Sequence, residues 1–301
     1  MAADIDWPDA LDLGPVTVLS GVERGKYPHG NSVLVEGTRE RVLFDPSLTV
    51  AERGLPVEID HVVLSHVHED HVPGLSILDG IPVHCHEADA VCLRSLDGLM
   101  AMYGMPADIE AEFRVEVERD FHFVPRPDVR SFTEGDTFDL GGVTIEIVHT
   151  PGHTRGHCAL VVPEARAAFL GDMELTGFGP YYFDEWSSLE EMEASIERCR
   201  QIDADHFITF HHKWVIDGRD TLLPMLDAFQ AVITNREERM LEFLSEPRSL
   251  AECAAHRFVY RPHVDITFVE HVERRCAVIH VDRMLRDGRV LQVDDDLYRA
   301  A

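Results

Sequence analysis

The stretch His61-Val62-Val63-Leu64-Ser65-His66-Val67-His68-Glu69-Asp70-His71 decides the reading of this chain. A short apolar run, His61–Ser65, has the composition of a buried strand. It passes directly into three histidines and Asp70. Ionisable groups gathered this densely at a strand end need something to hold them together, and a metal ion does so. His66 and His68, alternate residues of an extended turn, can point to one ion. Asp70 and His71 can turn towards a second. Imidazole and carboxylate donors without thiolate suit zinc, with iron or manganese also compatible.

Working outward, three more pieces stand at the ends of expected strands. His149-Thr150-Pro151-Gly152-His153 follows Val143–Val148, Gly171-Asp172 follows Ala167–Leu170, and His211-His212 follows Phe207–Phe210. In a layered α/β fold such strand ends collect along one edge, where loops carry function. Further strands are expected at Val16–Leu19, Ser32–Glu36, Arg41–Phe44, Pro82–His86 and Ala159–Val162. A helix with Ser188 and Glu191 as a capping box is expected over Leu189–Ile202.

His66-Val67-His68-Glu69-Asp70-His71 resembles the HxHxDH signature of the metallo-β-lactamase-fold hydrolases. HTPGHTRGH (149–157) and FLGDM (169–173) resemble the motifs that follow it in the glyoxalase-II-like branch, in the same order. The resemblance covers roughly residues 15–215. It implies an α/β fold, the αββα sandwich, and a site for two divalent metal ions. By the same resemblance His66, His68 and His153 hold the first ion. Asp70, His71 and His212 hold the second, and Asp172 bridges. His212 is preferred to His211 because it falls where the family's final histidine follows its last strand. Asp70 is also the expected catalytic residue, orienting a bridging hydroxide that attacks the substrate or relaying its proton. Two divalent ions against Asp70, Asp172 and a hydroxide leave roughly one positive charge, enough to attract an anionic substrate.

The other histidines, His29, His84, His86, His122, His157, His206 and His256, are expected to be surface or packing residues. Asp45 either hydrogen-bonds a ligand from behind or caps the turn before Pro46. Tyr181 or Tyr182, in the aromatic run 178–183 that precedes Trp186, could donate to a developing oxyanion or simply pack. Lys213 could hold a substrate carboxylate. In the 87–120 insertion, LMAMYGM (99–105) reads as core, with a pocket wall as the minority alternative. Three activities fit. The first is hydrolysis of a small ester, lactone or thioester. The others are phosphodiester cleavage, including endoribonuclease action, and iron-dependent sulfur dioxygenation; the complete ligand set argues against the last.

Composition narrows the rest. The chain has 301 residues with 55 acidic against 27 basic, a formal charge of −28. That opposes nucleic acid and anionic membranes as partners. Lys26 and Lys213 are the only lysines, which suits either a GC-rich genome or salt adaptation. No apolar run reaches the ~20 residues of a membrane helix. The acidic N-terminal MAADIDWPDALDLG lacks the pattern of a leader, and the six scattered cysteines read as free thiols, so a cytoplasmic location is expected. The catalytic domain is expected over 1–220. Residues 221–301 then form a linking helix, Leu222–Leu244 with Pro224 in its first turn, and a small winged-helix-like module. That module comprises a capped helix opening at Ser249, a helix over Phe268–Leu285 and a strand over Arg289–Val293. It resembles the C-terminal domain of lactamase-B2-like proteins. Its arginines alternate with acids, so it is expected to pack on the catalytic domain or on a second subunit, a possible homodimer, rather than to bind nucleic acid.

Overall fold

A computed structural model describes residues 6–301. Met1–Ile5, the start of the segment read as lacking a leader, lies outside them. Two sheets form the centre. The first runs in chain order: β1 (Leu11–Asp12), β2 (Val16–Leu19), β3 (Ser32–Glu36), β4 (Arg41–Phe44), β5 (His61–Val63), β6 (Val83–His86) and β7 (Arg130–Phe132). The second contains β8 (Thr137–Asp139), β9 (Thr144–His149), β10 (Cys158–Val162), β11 (Ala167–Phe169), β12 (His206–Ile208) and β13 (Val215–Asp217).

Strand periodicity explains the layering. On β3, Val33 and Val35 enter the core between the sheets, whereas Leu34 faces outward. The register Val33↔Phe44, Leu34↔Leu43, Val35↔Val42 carries the same alternation onto β4. From the second sheet Ile145, Ile147, Leu160, Val162 and Phe169 meet them. Successive side chains point to opposite faces, so each strand feeds two cores.

Helices cover both outer faces. On the first sheet lie α1 (Leu48–Arg53), α2 (Ala90–Arg94), α3 (Leu96–Tyr103) and α4 (Ala107–Arg119). Leu99, Met100 and Met102 of α3 are buried in that outer core, as expected. On the second sheet α5 (Leu189–Cys199) shares a core with α6 (Arg219–Phe243) and α8 (Val269–Arg286). This is the αββα sandwich.

The tail comprises α6, α7 (Leu250–His256), α8 and a hairpin of β14 (Val290–Asp294) with β15 (Leu297–Ala300). Ser249 and Glu252 form the expected capping box of α7. Ser188 caps α5 through the Glu191 N–H alone. α6 begins three residues before the expected start, so Pro224 lies inside the helix rather than in its first turn.

The tail packs on the catalytic layers. Arg236, buried, donates to the carbonyls of Pro180 and Phe178 and to the Tyr182 hydroxyl. His271 meets the Tyr103 carbonyl at 3.1 Å, and Arg283 pairs with Glu193. Among the described residues no helix is long and apolar enough to cross a membrane. All six cysteines are buried free thiols.

Candidate metal centre

Strand direction assembles the site. β4 and β5 are parallel, as are β11 and β12, so their C-terminal ends share one edge. Asp45, the His66–His71 turn, Asp172 and His211 all leave from that edge, and the loop after β9 brings His153 to it. Gly171 permits this approach. Its φ of +53° is left-handed, and a Cβ there would come within 2.7 Å of His157 Nε2 and 2.9 Å of Ser65 Oγ.

Two groups of donors result, sharing Asp172. In the first, His66 Nε2 lies 3.1 Å from His68 Nδ1 and 3.2 Å from His153 Nε2. Asp172 Oδ2 lies 3.2 Å from His153 Nε2. In the second, Asp172 Oδ1 is 3.1 Å from His71 Nε2, and Asp70 Oδ2 is 2.9 Å from His211 Nε2. All of these residues are buried. The two carboxylate oxygens of Asp172 therefore face different groups.

The second nitrogen of each imidazole is already engaged. His68 Nε2 faces Asp184 Oδ2 at 2.9 Å, and His71 Nδ1 faces Asp45 Oδ2 at 2.7 Å. His153 Nδ1 donates to the Tyr181 carbonyl and His211 Nδ1 to the Gly25 carbonyl. His66 Nδ1 faces Ser65 Oγ at 3.0 Å. Such partners fix the tautomer and leave the inward nitrogens as lone pairs. Ligands of one zinc at ~2.1 Å and tetrahedral angles stand about 3.4 Å apart, a little wider than the spacing of the first group. Asp70 Oδ2, buried, has no hydrogen-bond partner although His211 Nε2 is 2.9 Å away. Two ligands converging on an ion, rather than bonding each other, have this relation. The residues fit two divalent ions.

Electrostatics point the same way. Burial and the neighbouring histidines His71, His153 and His68 push the His66 imidazole well below its usual range. Burial works against charging His71, yet Asp172, Asp70 and Asp45 hold it well above. His211 is raised to about 10 against the same burial penalty, by Asp172 and Asp70. With the protein's own groups alone, charge is balanced only by protonating imidazoles. Divalent cations would replace those protons.

The structure places His211, not His212, in the second group. His212 adopts φ +58°, the left-handed region, and its side chain is exposed at the rim. The His211 carbonyl accepts from Lys213 N–H and Thr209 Oγ1, a turn that fixes His211 inward. The local backbone twist decided this, and no residue pattern in the sequence reported it. Lys213, the expected holder of a substrate carboxylate, is exposed and does not line the cavity. Tyr182 is also absent from the cavity, since its hydroxyl is held by His280 and Arg236 beneath the tail. Tyr181 does line it, but its hydroxyl donates to Asp184 Oδ1 at 3.0 Å.

Asp45 bonds His71 from behind, accepting also from the Ser65 N–H. His157 is packed: Nδ1 meets Thr150, and Nε2 accepts the Asp172 N–H. Asp184 and Asp89 were not foreseen. Asp89 accepts from Thr154 Oγ1 and Gly156 N–H, and so shapes the His153 loop. The one available signal for Asp184 was a carboxylate inside an aromatic run.

The centre opens into a cavity of about 250 Å³. His68, Asp70, His153, Asp172 and His211 form its floor. Tyr103 and Phe113 come from the helical insertion, Phe178 and Tyr181 from the loop after Asp172, and Tyr260, Ile266 and Phe268 from the tail. Glu69 and Glu174 also line it, and burial pushes both carboxyls up to about 7. Glu69 accepts from the hydroxyls of Tyr103 and Tyr27.

Residues 27–211, bounded by the cavity residue Tyr27 and by His211, match the pattern of the metallo-beta-lactamase superfamily. The chain belongs to that superfamily. An atrochrysone carboxyl ACP thioesterase of Pseudocercospora fijiensis is 25% identical over 90% of this chain and 74% of its own length. A hydroxyacylglutathione hydrolase of Ruegeria pomeroyi is 28% identical over 52% of this chain, which spans about half of that relative. Among solved structures, a metallo-beta-lactamase family protein of Thermus thermophilus superposes with a TM-score of 0.69 at 21% identity, covering 95% of this chain and 99% of its own. A beta-lactamase domain protein of Burkholderia ambifaria gives 0.71 at 18%, covering 99% and 96%. These two likenesses concern the fold, tail included. Family and relatives make this metallo-beta-lactamase-fold chain a metal-dependent hydrolase.

Proposed function

We propose that this protein hydrolyses a carboxylic thioester, ester or lactone at a dinuclear centre, most simply of zinc. One observation carries the reading. Asp172 turns its two oxygens to two separate donor groups, both at the floor of an apolar cavity. His66, His68 and His153 would hold one ion, Asp70, His71 and His211 the other, with Asp172 between them. Bound there, the ions supply Lewis acidity and a water whose pKa falls towards ~7.

The chain's own groups do the rest. Asp70 lines the cavity floor with its Oδ2 buried and without a hydrogen-bond partner, and beside the second ion it would orient the attacking water and take its proton. Asp184 and Asp45 hold His68 and His71 in fixed orientations. The aromatic wall places the acyl carbon over the floor and limits bulk water. The names of the relatives support a thioester substrate. Six buried free thiols fit a reducing, cytoplasmic setting.

The test is a panel of ester, lactone, thioester and phosphodiester substrates with zinc-, iron- and manganese-loaded protein. Carboxyl-ester or thioester turnover that disappears with chelator and returns with metal supports the reading. Turnover of the phosphodiester alone would overturn it.

A further inference from the structure

The cavity walls say more about the substrate than its floor does. Among the described residues no lysine or arginine lines the cavity, while Glu69 and Glu174 add two carboxyls beyond those of the donor groups. Three of the four lining tyrosines direct their hydroxyls at carboxylates: Tyr103 and Tyr27 donate to Glu69, and Tyr181 donates to Asp184. What these side chains leave for a ligand is ring surface. Away from the donor groups at the floor, an anionic substituent would meet carboxyl groups and no lysine or arginine, a lining that disfavours it.

The outer wall belongs to the tail. The segment 257–268, between α7 and α8, contributes Tyr260, Ile266 and Phe268. The Glu273 carboxylate holds it, accepting from the backbone N–H groups of Phe258, Val259 and Tyr260 at 2.7, 3.1 and 2.6 Å. Thr267 Oγ1 ties its far end to Glu116 on α4 at 3.0 Å. Ile266 stands at the rim, 39% exposed. The loop is thus a fixed wall spanning the tail and the helical insertion. An apolar cavity of about 150 Å³ holds one benzene ring. The volume here, about 250 Å³, admits a larger group.

We propose that the 257–268 loop is the specificity element of the site, and that it selects a bulky, uncharged apolar acyl group, such as a fused aromatic, over small or anionic ones. This rests on the hydrolase site proposed above and names its substrate class.

The experiment measures binding and turnover separately on the zinc-loaded full chain. The binding probes are two inert thioethers, S-(1-naphthylmethyl)-N-acetylcysteamine, which is neutral, and S-(1-naphthylmethyl)glutathione, which carries carboxylates. Calorimetry should show the neutral probe binding about tenfold or more tightly. Ile266→Arg should narrow or invert that preference about tenfold, Ile266→Glu should widen it, and zinc content should stay unchanged in both. Equal or tighter binding of the glutathione probe by the unaltered protein would overturn the proposal. So would failure of both probes to bind, or a preference indifferent to the charge at residue 266. Turnover of naphthoyl- against acetyl-N-acetylcysteamine is read independently. Selective binding without any hydrolysis would leave the selectivity standing and sink the thioester reading. Hydrolysis that favours the acetyl substrate would sink the selectivity alone.

Discussion

His211 Nε2 stands 2.9 Å from Asp70 Oδ2, and the two are held there without a hydrogen bond between them. A cation between them would account for the pair, and this makes the two adjacent histidines distinguishable. His211→Ala should lose the second ion, lowering metal content from about two per chain towards one, with activity down about a hundredfold or more. His212→Ala should keep both ions. Elemental analysis of both variants decides; a loss confined to His212→Ala would return the ligand role to that residue.

Asp172 faces both groups, so Asp172→Ala should deplete both ions, and Lys213→Ala should leave metal content intact. Lys213 is exposed outside the cavity, so its removal should also leave KM within about twofold, because isolated surface changes are nearly neutral. Full metal occupancy and full activity in Asp172→Ala would place the bridge elsewhere.

Asp184 touches no donor group except through His68, whose Nε2 it holds at 2.9 Å. Asp184→Ala should therefore weaken metal affinity by roughly 10- to 100-fold without removing a ligand. Competition with a chelator of known affinity measures this. An unchanged affinity would show that the His68 ring needs no support.

Glu237 anchors the tail to its own hairpin edge, meeting Arg289 at 2.6 Å and Arg283 and His280 at 3.3 Å. Burial opposes its charge, but hydrogen bonds from His280 and Arg289 and the charge of Arg283 hold the carboxyl down at about 2. A depressed folded pKa means stability that is present above the ordinary carboxylate range and lost as pH falls through it towards 2. Glu237→Gln should be less stable at pH 7 by roughly 3 kcal/mol. The difference from the unaltered protein should shrink between about pH 4.5 and 2. Denaturant unfolding across that range tests it; a gap independent of pH would exclude this carboxylate as its source.

The tail should not bind nucleic acid. Of the five arginines from Arg274 to Arg289, Arg275 pairs with Glu185, Arg283 with Glu193, Arg286 with Glu190 and Arg289 with Glu237, which leaves Arg274 without an ion pair among the described residues. Guanidinium groups already neutralised within the molecule release few counterions from a phosphate backbone. Gel-shift titration at low salt should show no binding. Tight binding that weakens steeply with salt would revive the nuclease alternative.

The sequence by itself determined the fold class and most of the donor set. HVHEDH, HTPGH and FLGD are local: the short spacing and the strand preceding each motif force those side chains to a strand end wherever the sheet lies. Short apolar runs bounded by glycine or charged turns likewise made β2, β3 and β4 legible to the residue, because strands buried on both faces read as continuous apolar runs. Tertiary structure alone decided which of His211 and His212 turns inward, since that hangs on one left-handed backbone angle and a turn closed by Thr209 and Lys213. It alone brought Asp184 to His68 and Asp45 to His71, across 116 and 26 residues of chain. It alone gave the cavity its outer wall, because Tyr260 and Ile266 reach the site only through the docking of α8 on the second sheet's helices. Local spacing records what a strand end must present; contacts between distant segments depend on packing that no short pattern encodes.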